Sequence, residues 1–318
     1  MSSPTTRRPG RAPAPALVLA AGLLWGTTGT AQALGPDDAT SLGVGALRLL
    51  IGGGALVAVA VARGTARWPR SATPSLLLAA AGVAAYQPFF FAGVRATGVA
   101  VGTVVAIGSG PVLAGLLAWA FRRERPGAAW AAATALAIAG CLVLAAAGAP
   151  ADVDLGGIVL ALGAGLSYST YAVATKSLLA HLDPVRAAAW TFGVAALVLS
   201  PVLIVEDVSW VVTPAGAAMA AHLGLVATTG SYLLFTRGLT GLPVATAATL
   251  SLAEPVTASI LGITVLGERP SPLVYGGMAL VLIGLAVAAR ASGRALSRPR
   301  GRRRPPGTRR GRGFPRSA

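Results

Sequence analysis

The chain has 318 residues, of which 54% are hydrophobic and only 11% charged, and its mean hydropathy is +0.70. A soluble domain carries about 25% charged residues, so this composition excludes a chain covered by a water-compatible surface and predicts a membrane protein. The net charge of +16 comes mainly from the termini: ten arginines lie between Arg294 and Arg316 and three precede the first apolar run, which leaves 16 − 13 = +3 for the remainder.

Ten long apolar runs follow one another along the chain. Each is near or above the length of ~20 residues that a helix needs to cross the hydrocarbon core. None alternates apolar with polar residues as the strands of a membrane barrel do. The runs cover residues 12–36, 39–62, 71–94, 96–121, 126–151, 155–175, 187–205, 208–236, 238–267 and 270–289. The predicted fold class is therefore an all-α polytopic membrane protein with ten transmembrane helices.

The loops between the runs sort by charge sign. One set is basic and carries Arg63, Arg67, Arg70, Arg122, Arg123, Arg125, Lys176, Arg186 and Arg237. The alternate set carries seven of the ten acidic residues, namely Asp37, Asp38, Asp152, Asp154, Glu206, Asp207 and Glu268. The positive-inside rule puts the basic set and both termini in the cytoplasm, which requires an even number of spans.

The two termini are predicted to be basic cytoplasmic tails, residues 1–13 and residues 291–318. The second tail is rich in Arg, Gly and Pro and is expected to be disordered. We expect both to contact anionic lipid headgroups. Nucleic acid is not an expected partner, because no aromatic residues alternate with the arginines. The first run also resembles a secretory signal with a cleavage site at residues 31–33, but its counterpart in the second half of the chain argues against removal.

The sequence contains an internal repeat. Residues 111–126 (PVLAGLLAWAFRRERP) and 255–270 (PVTASILGITVLGERP) share their first two and last three residues at an offset of 144, and AGLLWGT at 21–27 matches AGLSYST at 164–170. Two matches at nearly the same offset indicate a duplication. Residues 14–148 and 155–290 are thus predicted to be two five-helix repeats. Because five is odd, the second repeat is inverted relative to the first, an architecture typical of secondary transporters.

These segments resemble the EamA-type branch of the drug/metabolite transporter superfamily. The resemblance rests on the two Pro-x12-Glu-Arg-Pro segments, on an arginine in the second span (Arg48) and on aromatic residues in spans three and eight, and it covers roughly residues 14–290. Residues 121–124 (Phe-Arg-Arg-Glu) depart from the family's usual Leu-Gly-Glu. The resemblance implies transport of small metabolites through a cavity lined mainly by spans 1, 3, 4, 6, 8 and 9.

Matched Gly/Pro interruptions point to a midplane binding site. Gly110-Pro111 corresponds to Glu254-Pro255, and each proline frees the carbonyl four residues earlier, which for Pro255 is that of Ser251. Glu254 is the only acid within a span. An ionised acid at this depth costs about 2.5–3.5 kcal/mol, so it should be paired or protonated. We expect it to carry a proton or bind a cationic substrate group, with a structural hydrogen bond as the alternative.

Arg48 and a set of polar or amphipathic residues complete the candidate site. Arg48 could pair with Glu254 or attract an anionic group, or its side chain could snorkel to the headgroups. The others suit a cavity wall or, equally, hydrogen bonds between helices; they are Trp25, Thr27, Tyr86, Gln87, Tyr168, Thr170 and Tyr232. Gly22 and Gly26 are expected to form a close-packing face with no role in the site.

The predicted function is secondary transport of small metabolites or amphipathic compounds across the bacterial cytoplasmic membrane by alternating access, with protons as the candidate coupling ion. Export is favoured on family grounds, and an uptake permease is the alternative. A channel or a non-transporting receptor is a more remote one. An enzyme is not expected, because no nucleophile with a base and no metal constellation is present. We expect no cofactor and no metal, and Cys141, the only cysteine, allows no intrachain disulfide.

Overall fold

A computed structural model describes residues 13–146 and 154–297. Within them the chain forms ten helices long and apolar enough to cross a membrane, which confirms the predicted spans. Eight of them are α1 (Ala14–Ala33), α2 (Ser41–Ala62), α3 (Thr73–Thr97), α4 (Val99–Arg122), α5 (Ala128–Ala146), α6 (Leu155–Leu178), α7 (Pro184–Leu199, with a short extension Val202–Val205) and α10 (Pro272–Ser297). The other two, α8 and α9, are interrupted.

The helix α8 changes its winding along its length. It begins as an α-helix over Pro214–Ala221, continues as a π-helix over His222–Gly230 and returns to α-helical winding over Ser231–Thr240. A π-helix of more than one turn is rare, and π-bulges are frequent at functional sites. α9 consists of two α-helical segments, Val244–Leu250 and Ala253–Thr264, so it is broken in the middle of the span.

The packing of the helices follows the repeat. α6 of the second half packs against α3 and α4 of the first, and α1 correspondingly packs against α8 and α9. α2 packs against its own equivalent α7, and α5 against its equivalent α10. The main contacts of each helix thus have counterparts in the other repeat, as expected for two inverted five-helix repeats. The two repeats interlock around α1, α3, α4, α6, α8 and α9.

Glycines allow the closest helix contacts. A Cβ at Gly22 would lie 3.0 Å from the Cβ of Ala253, and one at Gly82 would lie 2.7 Å from the carbonyl oxygen of Ser167. Gly140 is equally close to the carbonyl oxygen of Gly277. Small residues that let two backbones approach are the usual contacts between helices in lipid. The α1–α9, α3–α6 and α5–α10 contacts are all made in this way.

The loops define two faces of the molecule. What we call the basic face carries the α2–α3, α4–α5, α6–α7 and α8–α9 loops, and the acidic face carries the α1–α2, α3–α4, α7–α8 and α9–α10 loops. α10 continues to Ser297, past residue 291 at which the disordered tail is predicted to begin. The basic residues 1–12 and the tail residues 298–318 lie outside the described residues, as does the α5–α6 connection at 147–153.

Candidate functional site

A cavity of about 380 Å³ lies between the two repeats. Seven helices contribute to its wall. The resemblance implies six of them, α1, α3, α4, α6, α8 and α9, and α2 is an addition. The lining includes Trp25, Thr28, Gly29, Gln32, Ser41, Arg48, Tyr86, Gln87, Phe90, Phe91, Thr103, Tyr168, Tyr171, Tyr232, Glu254 and Pro255.

The cavity extends from the middle of the bundle toward the acidic face only. On α1 its lining runs from Trp25 to Gln32, close to the end of that helix at the acidic face. On α2 it begins at Ser41, the first residue of the helix at the same face. No residue from the half of α1 that leads to the basic face is part of the lining. Within the part of the chain that the structure describes, the cavity is therefore closed toward the basic face.

The break in α9 positions Glu254. Pro255 cannot donate a backbone hydrogen bond to the carbonyl of Ser251, and the backbone N–H of Glu254 donates to that carbonyl instead, at 3.0 Å. This shorter bond ends one helical segment and starts the next. Glu254 therefore lies in the first turn of Ala253–Thr264, where the partial positive charge of the helix N-terminus favours a carboxylate.

Arg48 faces the same cavity from α2. Within the described residues its Nε is buried without a hydrogen-bond partner, and the only ion pair is Arg122–Glu124, so neither Arg48 nor Glu254 is neutralised by a protein charge within 4.0 Å. A guanidinium and a carboxyl group without partners in one membrane-embedded cavity are costly when both are ionised. The pair can therefore bind a ligand that carries both charges.

Aromatic rings close the cavity toward the basic face. The ring centroids of Trp25 and Tyr232 are 5.0 Å apart, those of Trp25 and Phe235 are 5.4 Å apart, and Tyr171 lies 5.6 Å from Tyr232 at a perpendicular angle. Phe192 extends this group, with its centroid 4.1 Å from that of Tyr232. The three distances of 5.0–5.6 Å are typical of aromatic pairs in protein cores. The rings form an apolar floor beneath the two charged groups.

Most of the residues proposed from the sequence face this cavity. They are Trp25, Arg48, Tyr86, Gln87, Tyr168, Tyr232, Glu254 and Pro255. Two others lie directly behind the wall. The hydroxyl of Ser251 is 3.1 Å from the phenol oxygen of Tyr168, and the carbonyl of Gly110 accepts a hydrogen bond from the hydroxyl of Ser169.

Three proposed residues are not part of the lining. Thr27 points toward α8, where its Oγ1 lies 2.7 Å from Nε2 of His222. Pro111 is buried within an α4 that remains helical from end to end, and Thr170 is half-buried on another face of α6. For Thr27 the competing prediction, a hydrogen bond between helices, describes the geometry. A role of Pro111 and Thr170 in the site stays a prediction.

Several lining residues were missed by sequence reasoning. Tyr171 lies three residues after Tyr168 and therefore on the same face of α6. Thr28 and Gln32 follow Trp25 at helical spacing on α1. The signal was the i, i+3, i+4, i+7 pattern continued from a chosen residue. The same pattern applies on α3, where Phe90 follows Tyr86 and Phe91 follows Gln87 by four residues.

The described residues contain no group of three or more His, Cys, Asp or Glu side chains that could hold a metal ion. Cys141 is buried and unbonded. The chemistry available at the cavity is therefore that of one carboxylate, one guanidinium, several hydroxyl and amide groups, and aromatic faces.

A ligand-sized cavity enclosed between two inverted five-helix repeats is the architecture of a membrane transporter. The chain matches the EamA-like transporter family twice, over residues 13–146 and 155–290. It therefore belongs to this family, within the drug/metabolite transporter superfamily.

Individual relatives agree with this assignment. The chain is 47% identical to "Uncharacterized transporter YwfM" of Bacillus subtilis over 85% of its own length and 91% of that protein. It is 32% identical to "Probable terminal-alkyne amino-acid exporter" of Streptantibioticus cattleyicolor over the same shares. "Threonine/homoserine exporter RhtA" of Escherichia coli is 33% identical over 43% of this chain and 44% of that protein. A solved crystal structure superimposes with a TM-score of 0.77 and 25% identity, over 89% of this chain and 99% of the other.

Proposed function

We propose that this transporter exports small zwitterionic metabolites of the amino-acid type across the bacterial cytoplasmic membrane, by alternating access and in exchange for protons. In this proposal both termini and the basic face are cytoplasmic, and the acidic face is external. The observation that carries it is the presence of one unpaired guanidinium and one unpaired carboxylate in the same cavity of the described residues.

The two charges match the two ends of an amino acid. The guanidinium of Arg48 suits a carboxylate, which it can bind through two parallel hydrogen bonds. The carboxylate of Glu254 suits an ammonium group. A purely cationic or purely anionic ligand would leave one of these protein charges unpaired in the membrane interior, which is costly. A zwitterion neutralises both, so the cavity should discriminate in its favour.

The remaining wall suits an apolar or amphipathic side chain. Trp25, Tyr86, Tyr171 and Tyr232 present aromatic surface beside the charged groups, and Gln87 is buried at the cavity wall. A volume of about 380 Å³ falls in the range of about 300–1,000 Å³ found for small-molecule sites. The site is therefore large enough for an amino acid.

The direction and the substrate class are supported by relatives. Two of the proteins that the chain resembles are named amino-acid exporters, one for a terminal-alkyne amino acid and one for threonine and homoserine. The resemblance to the first extends over most of the chain. We infer export for this protein on the same basis.

Proton exchange follows from the cost of an empty site. When the substrate leaves, the carboxylate of Glu254 loses its ammonium partner, and an ionised acid at this depth costs about 2.5–3.5 kcal/mol. Binding a proton removes the cost that comes from Glu254 and so favours the return of the empty carrier. One substrate ammonium leaving the site is then replaced by one proton entering from outside, so a proton gradient drives export.

Counterflow in proteoliposomes tests the proposal. The substrates are apolar amino acids, their methyl esters (cations only), their N-acetyl derivatives (anions only), and sugars and nucleosides as unrelated compounds. Wild-type protein is compared with Glu254→Gln and Arg48→Gln. The matched controls are Asp38→Asn and Arg95→Gln, which remove exposed charges of the same sign outside the cavity.

We expect saturable counterflow of the amino acids and little of the two derivatives. Loss of one charge-assisted hydrogen bond corresponds to roughly a 10- to 150-fold weaker affinity, so Arg48→Gln should raise the KM by about that factor. Glu254→Gln should abolish accumulation driven by a pH gradient. Equal transport of zwitterions and esters by the wild type would refute the substrate class, and gradient-driven accumulation in Glu254→Gln would refute the coupling. A C-terminal fluorescent-protein or alkaline-phosphatase fusion reports the proposed orientation independently.

A further inference from the structure

A polar cluster joins four helix ends at the basic face, on the closed side of the cavity. The ammonium of Lys176, near the end of α6, donates hydrogen bonds to the backbone carbonyls of Leu239 at 2.6 Å and Leu242 at 2.8 Å. These carbonyls belong to the end of α8 and to the loop that follows it. A cation at a helix C-terminus interacts favourably with the partial negative charge there.

Glu124 makes the complementary contact at the start of α9. One carboxylate oxygen accepts a hydrogen bond from the backbone N–H of Val244 at 3.0 Å, and the other accepts one from Nε of Arg122 at 3.0 Å. Arg122 in turn donates to the hydroxyl of Ser177 at 2.8 Å. One loop of the first repeat therefore holds the first turn of α9, while α6 holds the last turn of α8. We call the contacts of Glu124 and Lys176 the basic-face latch.

The first segment of α9 connects the latch to the cavity. The segment Val244–Leu250 runs from the latch to the break in α9 just before Glu254. The side chains of Arg122 and Glu124 are only 24% and 22% exposed, so water weakens their interaction less than it does in an open surface pair. A second cavity of about 420 Å³ borders Glu124, Lys176 and the α8–α9 loop. The loop therefore has space into which it can move when the contacts break.

The repeat supplies an equivalent carboxylate at the other face, and it is placed differently. Glu268 corresponds to Glu124, because 268 − 124 = 144. Its side chain, in the α9–α10 loop, is exposed and folds back over Gly262 of α9, so closely that a Cβ at Gly262 would collide with it. The equivalent of Val244 is Ala100, in the first turn of α4.

We propose that Glu124 and Glu268 are alternating latches, each closing one face by capping the first turn of a helix of the opposite repeat, α9 for Glu124 and α4 for Glu268. In the conformation of this structure Glu124 caps α9 and the basic face is closed. In the opposite conformation Glu124 releases α9, the cavity opens to the basic face, and Glu268 caps α4 at Ala100. This inference rests on the proposed alternating-access function and names the groups that control it.

The two latches are unequal. In the repeat, Ala33 is equivalent to Lys176 and Leu266 is equivalent to Arg122. Glu268 therefore has neither of the cationic partners that surround Glu124. The basic-face closure therefore contains more charge-assisted hydrogen bonds than the acidic-face closure. This asymmetry favours the conformation with the basic face closed in the absence of substrate.

Cysteine accessibility tests the proposal without any substrate. In a Cys141→Ala background, one reporter is Thr103→Cys, which lines the open cavity, and the other is Ala247→Cys, its repeat equivalent, which is fully buried. The rate of modification by a small water-soluble maleimide is measured on purified full-length protein. The latch is broken by Glu124→Ala or, independently, by Lys176→Met. Arg125→Ala is the control, since it removes an exposed charge from the same loop.

Breaking the latch should change the two reporters in opposite directions. We expect about a tenfold or larger rise in the rate at Ala247→Cys and a fall at Thr103→Cys, as for the loss of a charge-assisted hydrogen bond. Glu268→Ala should leave Thr103→Cys fully reactive and Ala247→Cys protected. Unchanged rates in both latch variants would overturn the proposal, and so would a rise at both reporters together, because that reports loosening of the bundle.

The result separates the latch from the transport proposal. Reciprocal changes in accessibility with no counterflow of any amino acid would support the latch and refute the substrate class. Counterflow of amino acids with unchanged accessibility in the latch variants would support the transporter and refute the latch.

Discussion

Replacing Gly26 with alanine should force α1 away from α9 beside the proposed substrate site. A Cβ at this position would lie 2.5 Å from the Cβ of Thr257 and 2.6 Å from the carbonyl oxygen of Glu254. Ordinary contacts begin at 3.4 Å, so the two helices must separate by about 3.4 − 2.5 = 0.9 Å. Neither obstacle can move alone, because one is backbone and the other is a β-carbon fixed to it.

Overpacking of this size costs about 1–3 kcal/mol. Gly29 provides the matched control, since it lies one turn further along α1, also lines the cavity, and would place an added Cβ more than 4 Å from any neighbour. Gly29→Ala should change the free energy of unfolding by less than about 0.5 kcal/mol. The same separation of α1 from α9 should raise the KM for counterflow in Gly26→Ala. The reason is that Trp25 and Glu254 then lie further apart and no longer contact the same ligand equally well.

The assay is reversible unfolding of both variants in SDS titrations, followed by counterflow of the substrate at several concentrations. A Gly26→Ala protein as stable as the wild type would show that α1 and α9 are not packed as described. Equal destabilisation by Gly29→Ala would show that the loss comes from the glycine-to-alanine change itself and not from the contact.

Two further predictions concern the frame around the site. Thr134 and Thr249 share a buried hydrogen bond of 2.8 Å between α5 and α9; a double-mutant cycle with valine at both positions should give a coupling of about 0.6 kcal/mol in unfolding free energy, and a coupling of zero would contradict the contact. Gly140→Ala should destabilise the α5–α10 pair by about 1–3 kcal/mol, because its Cβ would lie 2.6 Å from the carbonyl oxygen of Gly277. Gly276→Ala, where a Cβ meets open space, should leave the same measurement unchanged.

The spans and the repeat could be predicted because the bilayer restricts the choices so strongly. A chain in hydrocarbon must satisfy its backbone internally, so long apolar runs between charged loops become helices. The charged candidates Arg48 and Glu254 were visible for the same reason, since a charge in an apolar run is costly and rare. Both indeed line the cavity. Their roles in binding and coupling stay predictions.

The rotation of each helix about its axis could not be read in the same way. Thr27 and Thr170 are equivalent in the repeat and looked like site residues, yet Thr27 contacts His222 on α8 and neither lines the cavity. Tyr171 is absent from the predicted site, although it forms part of the floor. In an apolar run, a residue that faces lipid and one that faces a cavity differ little in type. Only the packing of neighbouring helices decides between them.

The matched prolines also had different outcomes. α9 breaks before Pro255, whereas α4 continues through Pro111. The hydrophobic pattern is similar at both positions, so it could not distinguish them. At Pro255 the 3.0 Å bond from the N–H of Glu254 to the carbonyl of Ser251 tightens the turn. The position of Glu254 thus depends on this local hydrogen bond. A proline makes such a bond possible, but a proline alone does not cause the helix to break.

Because part of α8 is π-helical, a change of winding within it would be transmitted to the rest of the helix. The segment His222–Gly230 bonds i to i+5, so converting one of its turns to ordinary α winding would shift the register of everything beyond it. One residue of register corresponds to about 100° of rotation and about 1.5 Å of rise. At present α8 is held at His222 by Thr27 and at Leu239 by Lys176. Without the contact at Leu239, the second half of α8 could rotate about its axis and move along it. Tyr232 would then leave the cavity floor, while the first half of α8 stays in place.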